Sequence, residues 1–146
     1  MSAIPRVQAI VLPLLRGHTD TDDPISILPG LENTKVGSWI EDIDYKHLPM
    51  LNVRRLGGPR YAGGPKKLSF PVIELTAYGN ESLPKTEQLY EDALEVLYDA
   101  RRKQTLTPAG YIHSIGEPMG ATQFSSLSQS SWRIQGLIRL GIRPPN

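Results

Sequence analysis

Trp132-Arg133-Ile134-Gln135-Gly136-Leu137-Ile138-Arg139-Leu140-Gly141-Ile142-Arg143 alternates along almost its whole length. Trp132, Ile134, Ile138, Leu140 and Ile142 fall on one face, and Arg133, Gln135, Arg139 and Arg143 on the other. A period of two places successive side chains on opposite sides of an extended backbone, so this is a strand with one core face and one face that is wet or paired. Pro144-Pro145 stops it, because proline cannot continue the ladder.

Such a strand needs an apolar surface to pack on, and Pro84 to Lys103 supplies one. Leu89, Ala93, Val96, Leu97 and Ala100 share a helical face. Ser82 or Leu83 precedes Pro84 at the helix start, and Arg101, Arg102 and Lys103 complement the negative end of the helix dipole. Between helix and strand, a short strand is expected from Tyr111 to Glu117, followed by a Ser-rich loop from about 118 to 130. Toward the N-terminus, strand signals lie at Lys35–Glu41, Met50–Leu56 and Lys67–Tyr78, which suggest an antiparallel meander. Pro71 puts the start of the last of these at an edge or a bulge. Val7, Ile10, Val11, Leu14 and Leu15 mark a first amphipathic helix from Pro5 to about Arg16, with a kink or early end expected at Pro13. Residues 17–34 hold acids and turn formers without a period and are expected to form a long surface connection. The element order is α-β-β-β-α-β-β. The fold class is α+β: a mainly antiparallel sheet of about five strands with two helices packed on one face, in a single domain spanning 1–146.

Composition suits such a domain. Leu, Ile, Val and Phe make up about a quarter of the 146 residues, above the level at which chains tend to stay disordered. The 13 glycines and 13 prolines concentrate in 17–34, in 57–67, around 108–120 and in the tail, which describes a compact body with cornered, projecting loops. With no cysteine, the chain has no disulfide framework, thiolate nucleophile or Cys-based zinc site. The start lacks the pattern of a signal peptide and no apolar run is long enough for a membrane span, so a soluble, intracellularly made protein with no membrane partner is expected.

Residues able to carry chemistry are scattered. His18, His47 and His113 lie in three segments without metal-site spacing. Gly58 to Gly63 has the spacing of a phosphate loop's two glycines, but Gly64-Pro65 replaces the required Lys-Ser/Thr, and Pro59 and Pro65 delete donors. No catalytic, metal or cofactor site is therefore assigned. The near-neutral formal charge of +1 hides a segregation. Arg54, Arg55, Arg60, Lys66 and Lys67 outnumber Glu74 and Glu81 between residues 50 and 83. Glu87, Glu91, Glu95 and Asp99 recur every four residues on the second helix, where like charges repel. A solvated face is the plain reading of that stripe. The sharper one is a subunit contact, with the basic 54–67 region of one copy meeting the acidic helix of another, or a lumen lining that does not hold DNA.

The string Val53-Arg54-Arg55-Leu56-Gly57-Gly58-Pro59-Arg60, followed by the Val72–Tyr78 strand, the acidic-to-basic helix and the Arg-rich closing strand, resembles the tail terminator proteins of long-tailed bacteriophages, particularly those of actinobacterial hosts. The resemblance runs from the first helix to about Arg143, with departures in the 17–34 connection and the 60–67 extension. It implies a structural protein of the virion tail, made in the host cytoplasm, that needs no cofactor. Its copies would form a ring, usually a hexamer, on the head-proximal end of the tail tube. The ring would stop tube growth, dock to the head connector in the neck and let genomic DNA pass without sequence-specific binding. Another neck component, such as a head completion or connector protein, is the nearer alternative. A small α+β enzyme or ligand-binding module is the more distant one.

Overall fold

The computed structural model describes residues 6–37, 49–57, 69–124 and 131–145. Its elements are α1 (Val7–Arg16), β1 (Lys35–Gly37), β2 (Met50–Arg55), β3 (Val72–Gly79), α2 (Leu83–Lys103), β4 (Tyr111–Phe124) and β5 (Trp132–Arg143). This is the expected order, and the class is α+β. The five strands form one sheet in the order β1-β2-β3-β5-β4. β2–β3, β3–β5 and β4–β5 are antiparallel.

β5 carries the core as its alternation requires. Ile134, Ile138, Leu140 and Ile142 are buried. Their register partners Ala77 and Ile73 on β3 point the same way, as do Leu51 and Val53 on β2 opposite Ala77 and Leu75. Both helices cover this face, α2 lying over β3, β5 and β4 and α1 over β2 and β1. Leu89, Ala93, Leu97 and Ala100 of α2 are buried with Tyr90 and Leu94, while Val96 is half-buried. Each buried Leu or Ile contributes roughly 1.5–3 kcal/mol relative to exposure.

The ends of α2 follow local rules. The Ser82 hydroxyl accepts from the Lys85 N–H at 3.2 Å, Pro84 sits in the first turn, and the three basic residues lie in the last. In α1, Pro13 does not end the helix early. The chain continues to Arg16 and closes when the Gly17 N–H donates to the Pro13 carbonyl at 2.9 Å, with Gly17 at φ 78°. A proline four residues from the end removes one helical bond, and the buried Val7, Ile10, Val11 and Leu15 outweigh it.

Four expectations are corrected. The first three strands are not a simple antiparallel meander: β1 runs parallel to β2, pairing Lys35 with Met50 and Gly37 with Asn52. The twelve residues 38–49 between them are about the length that a return to the same end of the sheet needs. Second, β4 does not stop at Glu117 but runs to Phe124. Register shifts between Gly116 and Met119 and between Met119 and Thr122 take up Pro118 and Gly120, residues that read as breakers. Third, Pro71 belongs to neither an edge strand nor a bulge. It stands just ahead of β3, an interior strand, and its carbonyl accepts from the Leu140 N–H at 2.9 Å, a role that needs no proline N–H. Fourth, 17–34 is more than a surface connection. Leu31 is fully buried, the Ser26 hydroxyl donates to the Leu15 carbonyl at 2.7 Å, and the Arg16 guanidinium donates to the Val36 carbonyl at 2.7 and 3.1 Å. The remainder of the Lys35–Glu41 strand and most of the 57–67 loop lie outside the described residues.

α2 packs tightly on β5 at Gly136. A Cβ there would collide with the Tyr90 hydroxyl and lie 3.0 Å from the Met119 carbonyl oxygen. The Tyr90 side chain is fully buried, and its hydroxyl has no hydrogen-bond partner among the described residues. Burial, reinforced by Glu117 and Glu91, pushes the phenol's pKa up and keeps it neutral. Gly136→Ala should therefore cost about 1–3 kcal/mol of stability. Tyr90→Phe in the same chain should restore part of it, by emptying the space the new methyl needs. Thermal unfolding of the two single variants and the double variant checks this; an equal loss from Gly136→Ala in both backgrounds would contradict it.

Candidate functional site

Of the basic residues singled out in the sequence, Arg54 and Arg55 end β2. Arg54 is exposed, and its guanidinium lies 3.1 Å from the Glu74 carboxylate, its register partner on β3. Arg55 Nε donates to the Gly57 carbonyl at 3.2 Å. Arg60, Lys66 and Lys67 lie outside the described residues, as does the Gly58–Gly63 segment tested as a phosphate loop.

The acidic stripe of α2 divides in two. Glu95 and Asp99 are neutralised within the chain: Arg102 reaches Glu95 at 2.7 Å and Asp99 at 3.3 Å, and Lys103 reaches Asp99 at 3.0 Å. Glu87 and Glu91 are exposed and have no ion pair among the described residues. The regular spacing visible in the sequence therefore produces an uncompensated patch one turn long, followed by a charge-balanced end. The Lys103 ammonium, then Arg102, hold the Asp99 carboxyl below the usual carboxylate range.

The face of the sheet turned away from the helices is polar. Thr76 donates to the Gln135 side chain at 3.3 Å, and the Arg133 guanidinium lies 5.2 Å from the centre of the Phe124 ring. These contacts fill the second face of the β5 alternation, and Arg139 is left exposed.

Two surfaces went unmarked in the sequence. One is a cleft of about 230 Å³ between the 30–34 turn, Pro49, the β3–α2 turn and the start of α2. Its rim carries Glu32, Glu81, Asp92 and Lys85, with Lys85 and Glu81 paired to each other. No local motif could announce it, because separate stretches of chain converge there. The other is the C-terminal half of β4, where Glu117, Pro118 and residues 120–123 are exposed. The β-favouring run Thr122-Gln123-Phe124 was its one signal.

The histidines serve local structure where they are described. His18 Nε2 lies 2.9 Å from the Ile25 carbonyl, and Nδ1 accepts from the Asp20 N–H at 3.2 Å. That pair of contacts puts the ring proton on Nε2 and ties the 17–34 loop to itself. His113 is exposed on β4, and His47 lies outside the described residues. Among the described residues no group of three or more His, Asp and Glu side chains is placed to hold a metal, and no helix is long and apolar enough to cross a membrane.

The fold and its surfaces thus define a small α+β protein whose distinctive features lie on its charged surfaces. The model of the phage tail termination protein family matches residues 3–146, and the chain belongs to that family. It is similar to the Gene 22 proteins of two mycobacteriophages. Identity is 54% over 145 residues with that of phage D29 and 53% over 145 residues with that of phage L5, covering 99% of this chain and 97% of each relative. The resemblance drawn from the Val53–Arg60 string and the element order is borne out. The chain is a structural protein of the phage tail, which places it in the virion.

The exposed charges of α2 make one prediction about the monomer. Because the Asp99 pKa is depressed in the folded state, its pairing contributes stability above the unfolded carboxyl pKa of about 4 and loses it as pH falls through the lower folded value. Asp99→Asn should lower the unfolding temperature slightly near pH 7, where the pairing is lost, and the difference from the parent chain should vanish as pH falls below about 4, which flattens the acid decline. Unfolding temperatures measured from pH 7 down to pH 2 check it.

Proposed function

We propose that copies of this chain close into a ring, a hexamer, on the head-proximal end of the tail tube, where the ring stops further tube addition and offers its other face to the head connector. Membership of the tail termination family along residues 3–146 carries this reading. The physics of the subunit supports it. A ring of identical copies needs one patch that binds a different patch on the next copy. Glu87 and Glu91 at the start of α2 are acidic and the Arg54-Arg55 end of β2 is basic, although Arg54 already shares its charge with Glu74. Arg60, Lys66 and Lys67 add to the basic partner in sequence. Glu95 and Asp99, already satisfied by Arg102 and Lys103, contribute little to that contact.

Termination then follows from shape and charge. One ring face reproduces enough of a tube ring to bind the last one, and the other face refuses a further tube ring while accepting the connector. Genomic DNA crosses the lumen, and carboxylates facing inward would keep it from adhering.

Phage assembled without this chain should carry tails of uncontrolled length and few joined heads, and purified chain added to tubes should appear by electron microscopy as a ring on one end. Tails of normal length in its absence would sink the proposal. Within the ring, Glu87→Lys combined with Glu91→Lys should weaken capping roughly three- to tenfold at low salt. The difference should shrink at about 0.5 M salt, where screening is short-ranged. A loss that is the same at both ionic strengths would contradict the charge contact.

A further inference from the structure

We propose that the cleft between the 30–34 turn and the start of α2 receives the guanidinium of an arginine side chain presented by a neighbouring protein. At about 230 Å³ the cleft is smaller than the roughly 300–1,000 Å³ of pockets that enclose a whole small molecule, and it suits one long side chain. Pro49 and Leu89 form part of its wall, an apolar surface on which the methylene stem of an arginine can lie while the charged head meets the polar groups.

Those polar groups call for a cation. Three carboxylates, of Glu32, Glu81 and Asp92, border the cleft against the single ammonium of Lys85. Lys85 is already paired with Glu81 at the rim. Glu32 and Asp92 have no ion pair among the described residues. Asp92 Oδ1 accepts from the Gln88 amide at 2.8 Å, and its Oδ2 lies beside Gly30, where a Cβ would stand 3.0 Å away. Thr34 is an independent sign of a missing partner. It lines the cleft, is 1% exposed, and its hydroxyl makes no hydrogen bond among the described residues. Buried hydroxyls are ordinarily hydrogen-bonded, so this one awaits a group that the chain itself does not supply.

The spacing of the acceptors decides which cation fits. A metal ion needs its oxygens gathered within about 2.0–2.6 Å of one point, and no three acidic or histidine side chains among the described residues are so placed. A guanidinium spreads five N–H donors in a planar fork and can serve acceptors that stand apart. The N-terminus of α2 does not turn the cleft into an anion site. The Ser82 hydroxyl already takes the Lys85 N–H at 3.2 Å, and the carboxylates repel negative charge. For a structural protein of the phage tail, the bearer of the guanidinium is a neighbouring protein rather than a metabolite. The inference is independent of the ring reading, because any neighbour with an arginine at its contact surface satisfies it.

The test is an NMR titration of the purified, nitrogen-15-labelled full chain with N-acetyl-arginine amide. The amide signals of Gly30, Thr34, Asn80 and Asp92 should shift and saturate in the millimolar range, and the neutral isostere N-acetyl-citrulline amide should leave them in place. Glu32→Gln, at an exposed position, should keep the unfolding temperature of the parent chain and weaken binding about two- to fivefold. Asp92→Asn should do the same; if that variant fails to fold, Glu32→Gln decides. Glu87→Gln, on α2 outside the cleft, should bind the probe as the parent chain does. No shift at the cleft, equal shifts from the citrulline probe, or an equal loss in Glu87→Gln would overturn the proposal. Tighter binding of magnesium or putrescine than of the arginine probe at the same ionic strength would make the cleft a site for a free cation and overturn it too.

Discussion

Ile134, Ile138, Leu140 and Ile142 leave water together only if β5 is extended, has strands on both sides and is roofed by a helix. Most of the described structure follows from that requirement. β3 and β4 flank β5, α2 crosses over it, and Gly136 gives Tyr90 the room to approach the strand. The same alternation forces Arg133, Gln135 and Arg139 to the opposite face, where Phe124 and Thr76 meet the first two. One strand therefore fixes both a dry layer and a polar one.

The surface is organised by what the body satisfies internally and what it leaves over. Arg102 and Lys103 consume the acids at the end of α2, the Ser26 hydroxyl ties the 17–34 loop to α1, the Arg16 guanidinium ties α1 to β1, and residues 24–25 close one sheet edge. Among the described residues, Glu87, Glu91, Arg139 and the outer side of β4 remain. In the ring proposed above, these leftovers are the surfaces available for contact with neighbouring copies. Internal pairing also explains why a sequence stripe of four acids is not four equivalent docking residues.

Much of the fold was legible in the residues. α2 and β5 could be bounded to within a residue, since their apolar periods are long and their ends carry recognisable stop signals. Sites where one local rule opposed a stronger tertiary one were not legible. Pro13 looked like a kink or an early helix end, and four buried side chains carry α1 past it to Arg16. Pro118 and Gly120 looked like the end of a strand, but β5 offers a long template and two register shifts absorb them. Of the candidate surface, the charges could be named in advance and their partners could not: Arg54 turned to Glu74, and Asp99 to Lys103 and Arg102.

By itself the sequence determined the element types, the faces that β5 and the two helices would bury, the class α+β and, through the Val53–Arg60 string and the order of elements, the family. These are local properties, set by side-chain period and backbone stereochemistry over a few residues. Only the tertiary structure decided that β1 runs parallel to β2, that β5 lies between β3 and β4, and that residues 24–25 cap the β1 edge of the sheet. Strand order and edge exposure depend on which distant segments meet. That choice is made by the joint burial of several apolar faces, and no single segment encodes it.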